Sequence, residues 1–468
     1  QTHVMTMFSV VVVASVFLSN FAVGINDGAA DVPPRGWSSW NSFQLNINED
    51  VVRSSADIMA KELLKSGYEY LLIDDGWPPD TAMAGKGPAR LPDGTIPVSK
   101  VKFPSGFKNL TDYVHSKGLK IGIYTAVSHW TCGGYTGSLG FEDVDAKSFV
   151  DWGFDFVKHD TCGGYHGEPA DECGVGVMSK GNCIKTSTTK MSAALRKYAM
   201  AMSPAKHIVY YIDHGNPTSP QTLYNPNHYF IADDAQSQSD VSKQANTPDQ
   251  LGWTWASDVC HMMKTTYDTH DSWGSMLNNL HSSINLAEYQ KRGYYNMPDM
   301  LSVGQGAQSD AEYRAQMLLW SIMGAPLILG NDIRNMTPFT LSLITAPEVL
   351  AVNSDIDVVQ GSMLRMQGSF EIWGKPISSR VDQADGQPVF SNEPAIVLVL
   401  FNNGDVVANI SVDVDGNDLA PASIRGAYEV RDLLLQKDLG HRTGVLTMQV
   451  SPTDAVMLQL VPLKKKKT

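Results

Sequence analysis

The stretch that decides the fold is FDFVKHDTCGG, residues 154 to 164. Its first half alternates apolar and polar residues, as a β-strand with one buried face does. The alternation stops at residues 159–162, which read HDTC, and two glycines follow. Such an end has two interpretations: an ordinary passage from strand to loop, or a strand that carries a reactive carboxylate into a cleft. The surrounding sequence has to distinguish them.

Similar short apolar runs recur along the chain and alternate with amphipathic stretches. Residues 49–66, for example, predict a helix that ends at Gly67, because apolar residues spaced by three or four would share one face. Eight strand candidates follow one another in this way over about 300 residues. They lie at residues 36–41, 68–77, 119–125, 154–160, 207–215, 259–268, 293–301 and 325–330.

This alternation predicts the fold class. Strands that alternate with helices are parallel and joined by crossover helices, and eight such units favour a closed (β/α)8 TIM barrel, placed at residues 33–355. An open doubly wound sheet is the alternative, but no G-x-G-x-x-G turn follows the first strand. From residue 356 to 463, short β-rich runs separated by Gly, Asn and Asp predict a C-terminal antiparallel β-sandwich.

The composition limits the class of partner. The chain of 468 residues is 43% hydrophobic and 18% charged, which is typical of a soluble globular protein. Its formal net charge is −13, and the only basic run is the tail at residues 464–467. We expect no nucleic-acid partner, because phosphate binding needs a basic surface. The lysine tail is interpreted as a solvated end.

The N-terminal residues 1–24 predict a signal peptide. They contain an apolar run of the right length, and an anchoring helix is the alternative, although Asn20 interrupts the run. No later stretch predicts a membrane span, so we expect a secreted or lumenal protein and no membrane partner. The five cysteines could then pair, with at least one left over. Three glycosylation sequons fit the same compartment and begin at Asn109, Asn335 and Asn409.

Residues that end the predicted strands are the candidates for chemistry, because the active site of a TIM barrel lies at the C-terminal ends of its strands. Carboxylates, two lysines and several tryptophans meet there. Asp and Lys can hydrogen-bond hydroxyl groups, and indole faces stack on C–H faces, so the set fits a sugar. The candidates are Trp37, Trp40, Asp74, Asp75, Trp77, Lys158, Asp160, Asp213, His214, Lys264, Asp268 and Asp299.

Other chemistries fit less well. The sequence lacks metal-binding H-x-H and H-E-x-x-H motifs, a phosphate-binding loop and a G-x-S-x-G nucleophile motif, so we expect no metal and no cofactor. Paired carboxylates predict cleavage of a glycosidic bond, in which one attacks the anomeric carbon and the other protonates the leaving oxygen. Lys158 projects to the same side as Asp160, and we expect its charge to lower the pKa of that carboxylate.

Several motifs together carry a resemblance to a known family. GWSSWN, LLIDDGW, GLKIGIYTAVSHWTC, DWGFDFVKHDTC, KTTYD and NMPDML occur in this order from about residue 33, and the ordered match continues to about residue 360. They resemble glycoside hydrolase family 27, the α-galactosidase and α-N-acetylgalactosaminidase family. The resemblance implies a barrel plus sandwich and a retaining exo-glycosidase that acts on oligosaccharides or smaller substrates ending in an α-galactose-like sugar.

The resemblance also implies roles for individual residues. Asp160 falls on the nucleophile position, and Asp268 on the acid/base position of the motif Arg-Thr-Thr-Gly-Asp, which reads KTTYD here. A disulfide between Cys132 and Cys162 is implied as well. The positions that match sugar-binding residues of the family are Trp37, Asp74, Asp75, Trp77, Lys158 and Asp299.

Departures from the family pattern cluster where specificity is set. Lys264 replaces an arginine and loses bidentate geometry. The strand-5 motif Cys-Glu-Trp-Gly reads Ile212-Asp213-His214-Gly215, so Asp213 and His214 are either sugar contacts or loop scaffold. The pairing of Cys173 and Cys183 is open, as is the oligomeric state. Alternative activities are α-N-acetylgalactosaminidase, β-L-arabinopyranosidase or transglycosylase, and a non-catalytic carbohydrate-binding protein on the same scaffold is a further alternative.

Overall fold

The computed structural model describes residue 25, residues 27–84, 86–87, 89–162, 182–214, residue 252, and residues 254–381, 388–415 and 426–463. The predicted signal peptide, the insertion that follows residue 215 and Cys173 lie outside these residues. Among the described helices, none is long and apolar enough to cross a membrane.

The N-terminal part contains one sheet of eight parallel strands, as the sequence predicts. Each predicted strand is found, although most are shorter than the apolar run that predicted them. The strands are β1 Arg35–Ser38, β2 Tyr70–Ile73, β3 Lys120–Ala126, β4 Phe156–Asp160, β5 Val209–Asp213, β6 Met262–Lys264, β7 Tyr295–Met297 and β8 Leu327–Leu329.

The sheet closes into a barrel. Neighbouring strands follow chain order from β7 back to β1, and β8 lies on the other side of β1. The remaining gap is closed by Leu301, just after β7, which forms a parallel bridge with Leu329. The backbone N–H of Leu301 donates to the carbonyl of Ile328 at 2.8 Å. The predicted closed barrel is therefore confirmed, and the open sheet is not observed.

Helices surround this barrel, and capping residues stand at the start of several of them. Asn48 accepts a hydrogen bond from the backbone N–H of Val51 at the start of the first long helix, and Ser309 and Glu312 form a capping box. The helices are α1 Trp40–Phe43, α2 Glu49–Ile58, α3 Phe107–Ser116, α4 Glu142–Trp152, α5 Asn182–Met200, α6 Trp273–Ser282, α7 Asp310–Ile322, α8 Pro338–Ile344 and α9 Pro347–Asn353.

The C-terminal part is the predicted antiparallel sandwich. Its six-stranded sheet faces a two-stranded sheet formed by β12 and β15, and a separate apolar core lies between them. The barrel helix α7 joins it through Arg314, whose Nε donates to Asp454 at 2.8 Å. The strands are β9 Ser362–Gln367, β10 Phe370–Val381, β11 Pro388–Asn402, β12 Ala408–Asp413, β13 Tyr428–Asp432, β14 Lys437–Arg442, β15 Val445–Val450 and β16 Asp454–Pro462.

Candidate active site

Inward-facing side chains change from apolar to charged along four of the barrel strands. On β4, Phe156 lies in the apolar cluster inside the barrel, Lys158 follows two residues later, and Asp160 two residues after that. Because side chains alternate with a period of two, all three project to the same side of the strand. Three other strands show the same change, from Leu72 on β2 to Asp74 just after it, from Tyr211 to Asp213 on β5, and from Met262 to Lys264 on β6. A layer of charged groups therefore covers the apolar interior at the C-terminal ends of the strands.

Five of these charged residues form an ion-pair chain, Asp74–Lys158–Asp213–Lys264–Asp268. The Nζ of Lys158 lies 3.0 Å from an oxygen of Asp74 and 3.0 Å from Oδ2 of Asp213. The Nζ of Lys264 lies 2.9 Å from Oδ1 of Asp213 and also contacts Asp268. Asp213 thus bridges two buried lysines on two different strands. The interpretation of Asp213 as scaffold gains support from this position, although a sugar contact is compatible with it.

Asp160 lies beside the ion-pair chain and is not a member of it. It pairs in register with Asp213 on the neighbouring strand and remains partly exposed. The hydroxyl of Tyr124 donates to its Oδ2 at 2.9 Å. Tyr124 projects inward from β3, and its hydroxyl also lies 3.3 Å from the Sγ of Cys162. Sequence reasoning missed Tyr124, although its position two residues after the inward-facing Gly122 is the signal that could have revealed it.

Asp268 stands at the open end of the ion-pair chain, with 71% of its side chain exposed. It belongs to the loop after β6. The next residue, Thr269, donates its backbone N–H to Oδ2 of Asp299 at 2.6 Å. Asp299 itself is buried, and its carbonyl accepts from the indole N–H of Trp320 at 2.9 Å. The structure therefore shows Asp299 fixing the loop that carries Asp268.

The charges around Asp160 oppose one another. Burial and the neighbouring carboxylate of Asp213 raise the pKa of Asp160, while the charges of Lys158 and Lys264 lower it, and the net shift is upward. The sequence-based expectation that Lys158 holds this pKa down is therefore wrong as a net direction. The reason is geometric: Lys158 is engaged by Asp74 and Asp213, so burial and like charge outweigh it at Asp160.

The pKa values of Asp268 and Asp213 shift downward, whereas that of Asp75 shifts upward, with burial as the largest cause. Lys264 lowers the pKa of Asp268 more than burial raises it. Although burial would raise the pKa of Asp213, Lys264 and Lys158 together lower it. Burial raises the pKa of Asp75 to about 6. Of the two candidate catalytic carboxyls, Asp160 is thus the more readily protonated and Asp268 the more readily ionised.

Asp75 and Trp77 support the walls of the site. Asp75 is buried and accepts hydrogen bonds from the backbone N–H groups of Gly76 at 2.8 Å and Gly133 at 2.7 Å, which ties β2 to the loop after β3. Trp77 is buried against Phe107, with ring centroids 5.4 Å apart, and its indole N–H donates to the carbonyl of Tyr124 at 2.9 Å. The Trp77 ring is buried against the surrounding helices and does not lie in the charged layer.

The two candidate tryptophans, Trp37 on β1 and Trp40 at the start of α1, lie in different surroundings. Trp37 is fully buried against Phe43, and its indole N–H donates to the carbonyl of Asn331 at 2.7 Å. On this strand Ser38 faces inward and donates to Asp74 at 3.2 Å, so Trp37 must point outward. Trp40 is partly exposed and packs on the apolar cluster inside the barrel. Trp40 is therefore the better candidate for a sugar contact.

The predicted disulfide between Cys132 and Cys162 is confirmed. Its sulfurs and a carboxylate oxygen of Asp160 lie within 4.8 Å of one another. Two sulfurs joined in a disulfide do not offer thiolate ligands, so these three residues do not fit a metal ion. Cys260 is a buried free thiol, and Cys183 is disulfide-bonded, while Cys173 lies outside the described residues. His214 is buried at the end of β5, next to Asp213.

Family models match both parts of the chain. A model described as alpha galactosidase A matches residues 32–207 and 238–355, and a model of the alpha galactosidase C-terminal beta sandwich domain matches residues 367–460. The chain belongs to glycoside hydrolase family 27. As a member of this family it is a glycoside hydrolase with the barrel and sandwich described above.

Relatives of this family 27 hydrolase match over most of their length. Alpha-galactosidase 2 of Arabidopsis thaliana is 32% identical over 389 residues, which cover 83% of this chain and 79% of the relative. Human alpha-galactosidase A is 31% identical and covers 94% of this chain, with 91% of its own length matched. The crystal structure of alpha-galactosidase I from Mortierella vinacea has a TM-score of 0.72 and 26% identity, covering 93% of this chain and 98% of that one.

Proposed function

We propose that this hydrolase is a retaining α-galactosidase that releases terminal α-D-galactosyl-type residues by double displacement. The observation that carries the proposal is the accessibility of two carboxylates in one charged layer. Asp160 is partly exposed and Asp268 is mostly exposed, whereas Asp74, Asp75, Asp213 and Asp299 are buried. The names of the relatives support the galactoside substrate.

In the first step, an oxygen of Asp160 attacks the anomeric carbon and forms a glycosyl–enzyme ester. The bond from that carbon to the leaving oxygen breaks, and Asp268 supplies the proton which that oxygen takes up. In the second step, Asp268 accepts a proton from water as the water oxygen attacks the anomeric carbon. The ester bond breaks, and Asp160 is released as a carboxylate.

Before the first reaction step, Asp160 has to lose its proton and Asp268 has to be protonated. Of the two carboxyls, Asp160 is the more readily protonated and Asp268 the more readily ionised, while attack requires the reverse. Both arrangements hold the same number of protons, and the carboxylates interact through Asp213 and Lys264, so they titrate as one set. Attack therefore requires Asp160 to lose its proton and Asp268 to take one up, and the contact between Asp268 and Lys264 opposes the second change.

The rest of the layer orients the sugar. Lys158 and Asp74 are held rigidly by their mutual ion pair and by Asp213, which places a donor and an acceptor for hydroxyl groups beside Asp160. Trp40 provides an aromatic face at the same rim. The structure does not favour either of the two alternative substrates, α-N-acetylgalactosaminide and β-L-arabinopyranoside. Both are therefore compared with the α-galactoside in the test below.

The disulfide supports a location in an oxidising compartment. Cys132 and Cys162 are joined beside the site, and disulfides persist in oxidising compartments. We infer a secreted or lumenal enzyme.

A panel of aryl glycosides tests the proposed function. Aryl α-galactoside should be hydrolysed faster than the α-N-acetylgalactosaminide and the β-L-arabinopyranoside, and proton NMR should show that the first sugar released is the α-anomer. The Asp160→Ala variant should be inactive. Binding of sugar without release of the aryl group by the wild type would instead indicate a carbohydrate-binding protein, and a β-anomer as first product would exclude double displacement.

A further inference from the structure

An exposed aromatic ring stands next to the proposed proton donor. Tyr267 is 41% exposed, while Thr266 before it is buried and the carboxylate of Asp268 after it is mostly exposed. Among the residues that the structure describes, Phe141 is the other strongly exposed aromatic residue, at 40%, and the guanidinium of Arg90 lies 4.0 Å from its ring centre. Tyr267 thus presents aromatic surface directly before Asp268, the last residue of the ion-pair chain.

The backbone that carries this ring is fixed. The side-chain amide of Asn279 donates to the carbonyl of Tyr267 at 3.0 Å and to the hydroxyl of Thr269 at 2.8 Å. Thr269 is in turn held by Asp299. The loop is thus anchored on both sides of Asp268, so that a ligand stacking on the ring would not have to order the backbone first.

The chemistry of the first step specifies what must lie beside this ring. A proton donor must come within about 2.6–3.2 Å of the atom that it protonates. The leaving group bonded to that oxygen consequently extends over the surface next to Asp268. Since adjacent Cα atoms are about 3.8 Å apart, Tyr267 is within reach of it. An aromatic ring stacks well on the C–H face of a sugar or on an aryl group.

We propose that Tyr267 forms the leaving-group subsite of this enzyme and binds the first sugar or aryl ring released. This inference rests on the proposed function, because it takes Asp268 as the proton donor. The same surface holds an incoming sugar during the second step, when the sugar's hydroxyl replaces water as the attacking group. Tyr267 then favours transfer to sugars as well as hydrolysis of substrates with a large leaving group.

Two substrates with the same galactosyl group separate this role from a structural one. Raffinose has a sugar as leaving group, whereas α-galactosyl fluoride has a single atom that needs neither a ring contact nor a proton. In Tyr267→Ala, kcat/KM for raffinose should fall about 5- to 20-fold, in line with the loss of one aromatic contact. The value for α-galactosyl fluoride should stay within about twofold of the wild type, because no group occupies the subsite.

The controls make each outcome decisive. Tyr267→Phe should restore the raffinose value, since stacking needs the ring and not the hydroxyl. Phe141→Ala, which removes an equally exposed ring elsewhere, should change neither substrate. An equal loss for both substrates in Tyr267→Ala, or no loss for either, overturns the subsite. A wild-type protein that hydrolyses neither substrate contradicts the proposed function itself.

Discussion

Lys158 lies with its Nζ 3.0 Å from Oδ2 of Asp213, so a buried ion pair joins β4 to β5 directly beneath the mouth of the barrel. The same ammonium group reaches Asp74 on β2 at 3.0 Å. One lysine therefore holds together side chains from three strands. Because Asp74 and Asp213 engage this lysine, its lowering effect on the pKa of Asp160 is outweighed by burial and by the charge of Asp213.

Removal of Lys158 should destabilise the protein strongly. In Lys158→Met, the carboxylates of Asp74 and Asp213 stay buried with one partner fewer. Breaking one side of a buried ion pair costs about 3–5 kcal/mol. Urea unfolding should show this decrease in the free energy of unfolding. Lys147→Met, which removes an exposed pair with Asp151, is the control and should change stability by less than about 1 kcal/mol.

The effect of removing Asp268 should depend on the leaving group. In Asp268→Ala, hydrolysis of an alkyl or sugar α-galactoside should slow about 10²- to 10⁴-fold, because its leaving oxygen must be protonated. Hydrolysis of α-galactosyl fluoride should be affected far less. Steady-state kinetics on both substrates measure the difference. Similar losses on both would argue that Asp268 shapes the site and does not donate the proton.

The pH dependence of Asp268→Ala should report Asp160 alone. With α-galactosyl fluoride as substrate, kcat/KM should rise with pH as Asp160 ionises and then reach a plateau. Since burial and Asp213 raise its pKa, the midpoint should lie above the ordinary value of 3.8. Adding Asp213→Asn removes a like charge and releases two lysines, and should move the midpoint to lower pH. A midpoint at or below the ordinary value would contradict this electrostatic account.

The Cys132–Cys162 disulfide should matter for activity and for stability. It closes a loop with a sequence separation of 30, for which chain entropy predicts a contribution of about 3–4 kcal/mol. It also holds Cys162 next to the Tyr124 hydroxyl that donates to Asp160. The Cys132→Ser, Cys162→Ser double variant should therefore unfold at lower urea and lose activity even where it is still folded. Unchanged kcat/KM in the folded range would show that the disulfide does not position the site.

Strand periodicity explains why the sequence could predict which charged residues meet in the candidate site. Lys158, Asp160, Asp213 and Lys264 were assigned to strand ends, and the structure brings all four together because a period of two places alternate residues inside the barrel. The order of the strands followed from the alternation of strands and helices.

Side-chain partners could not be read from periodicity. The sequence does not show that Ser38, and not Trp37, faces the barrel interior on β1, or that Trp77 turns toward the helices. It does not show that Lys158 pairs with residues of two other strands in preference to Asp160 on its own strand. Such choices depend on three-dimensional neighbours from distant parts of the chain.

The most direct test of the central claim is to trap the glycosyl–enzyme. The protein is incubated with a fluorinated galactosyl fluoride that forms the ester quickly and hydrolyses slowly, and peptides are then analysed by mass spectrometry. The account predicts one added sugar per chain, on the peptide that contains Asp160, and none in Asp160→Asn. A sugar attached to another residue, or rapid turnover of ordinary substrate with no trapped ester at all, would contradict it.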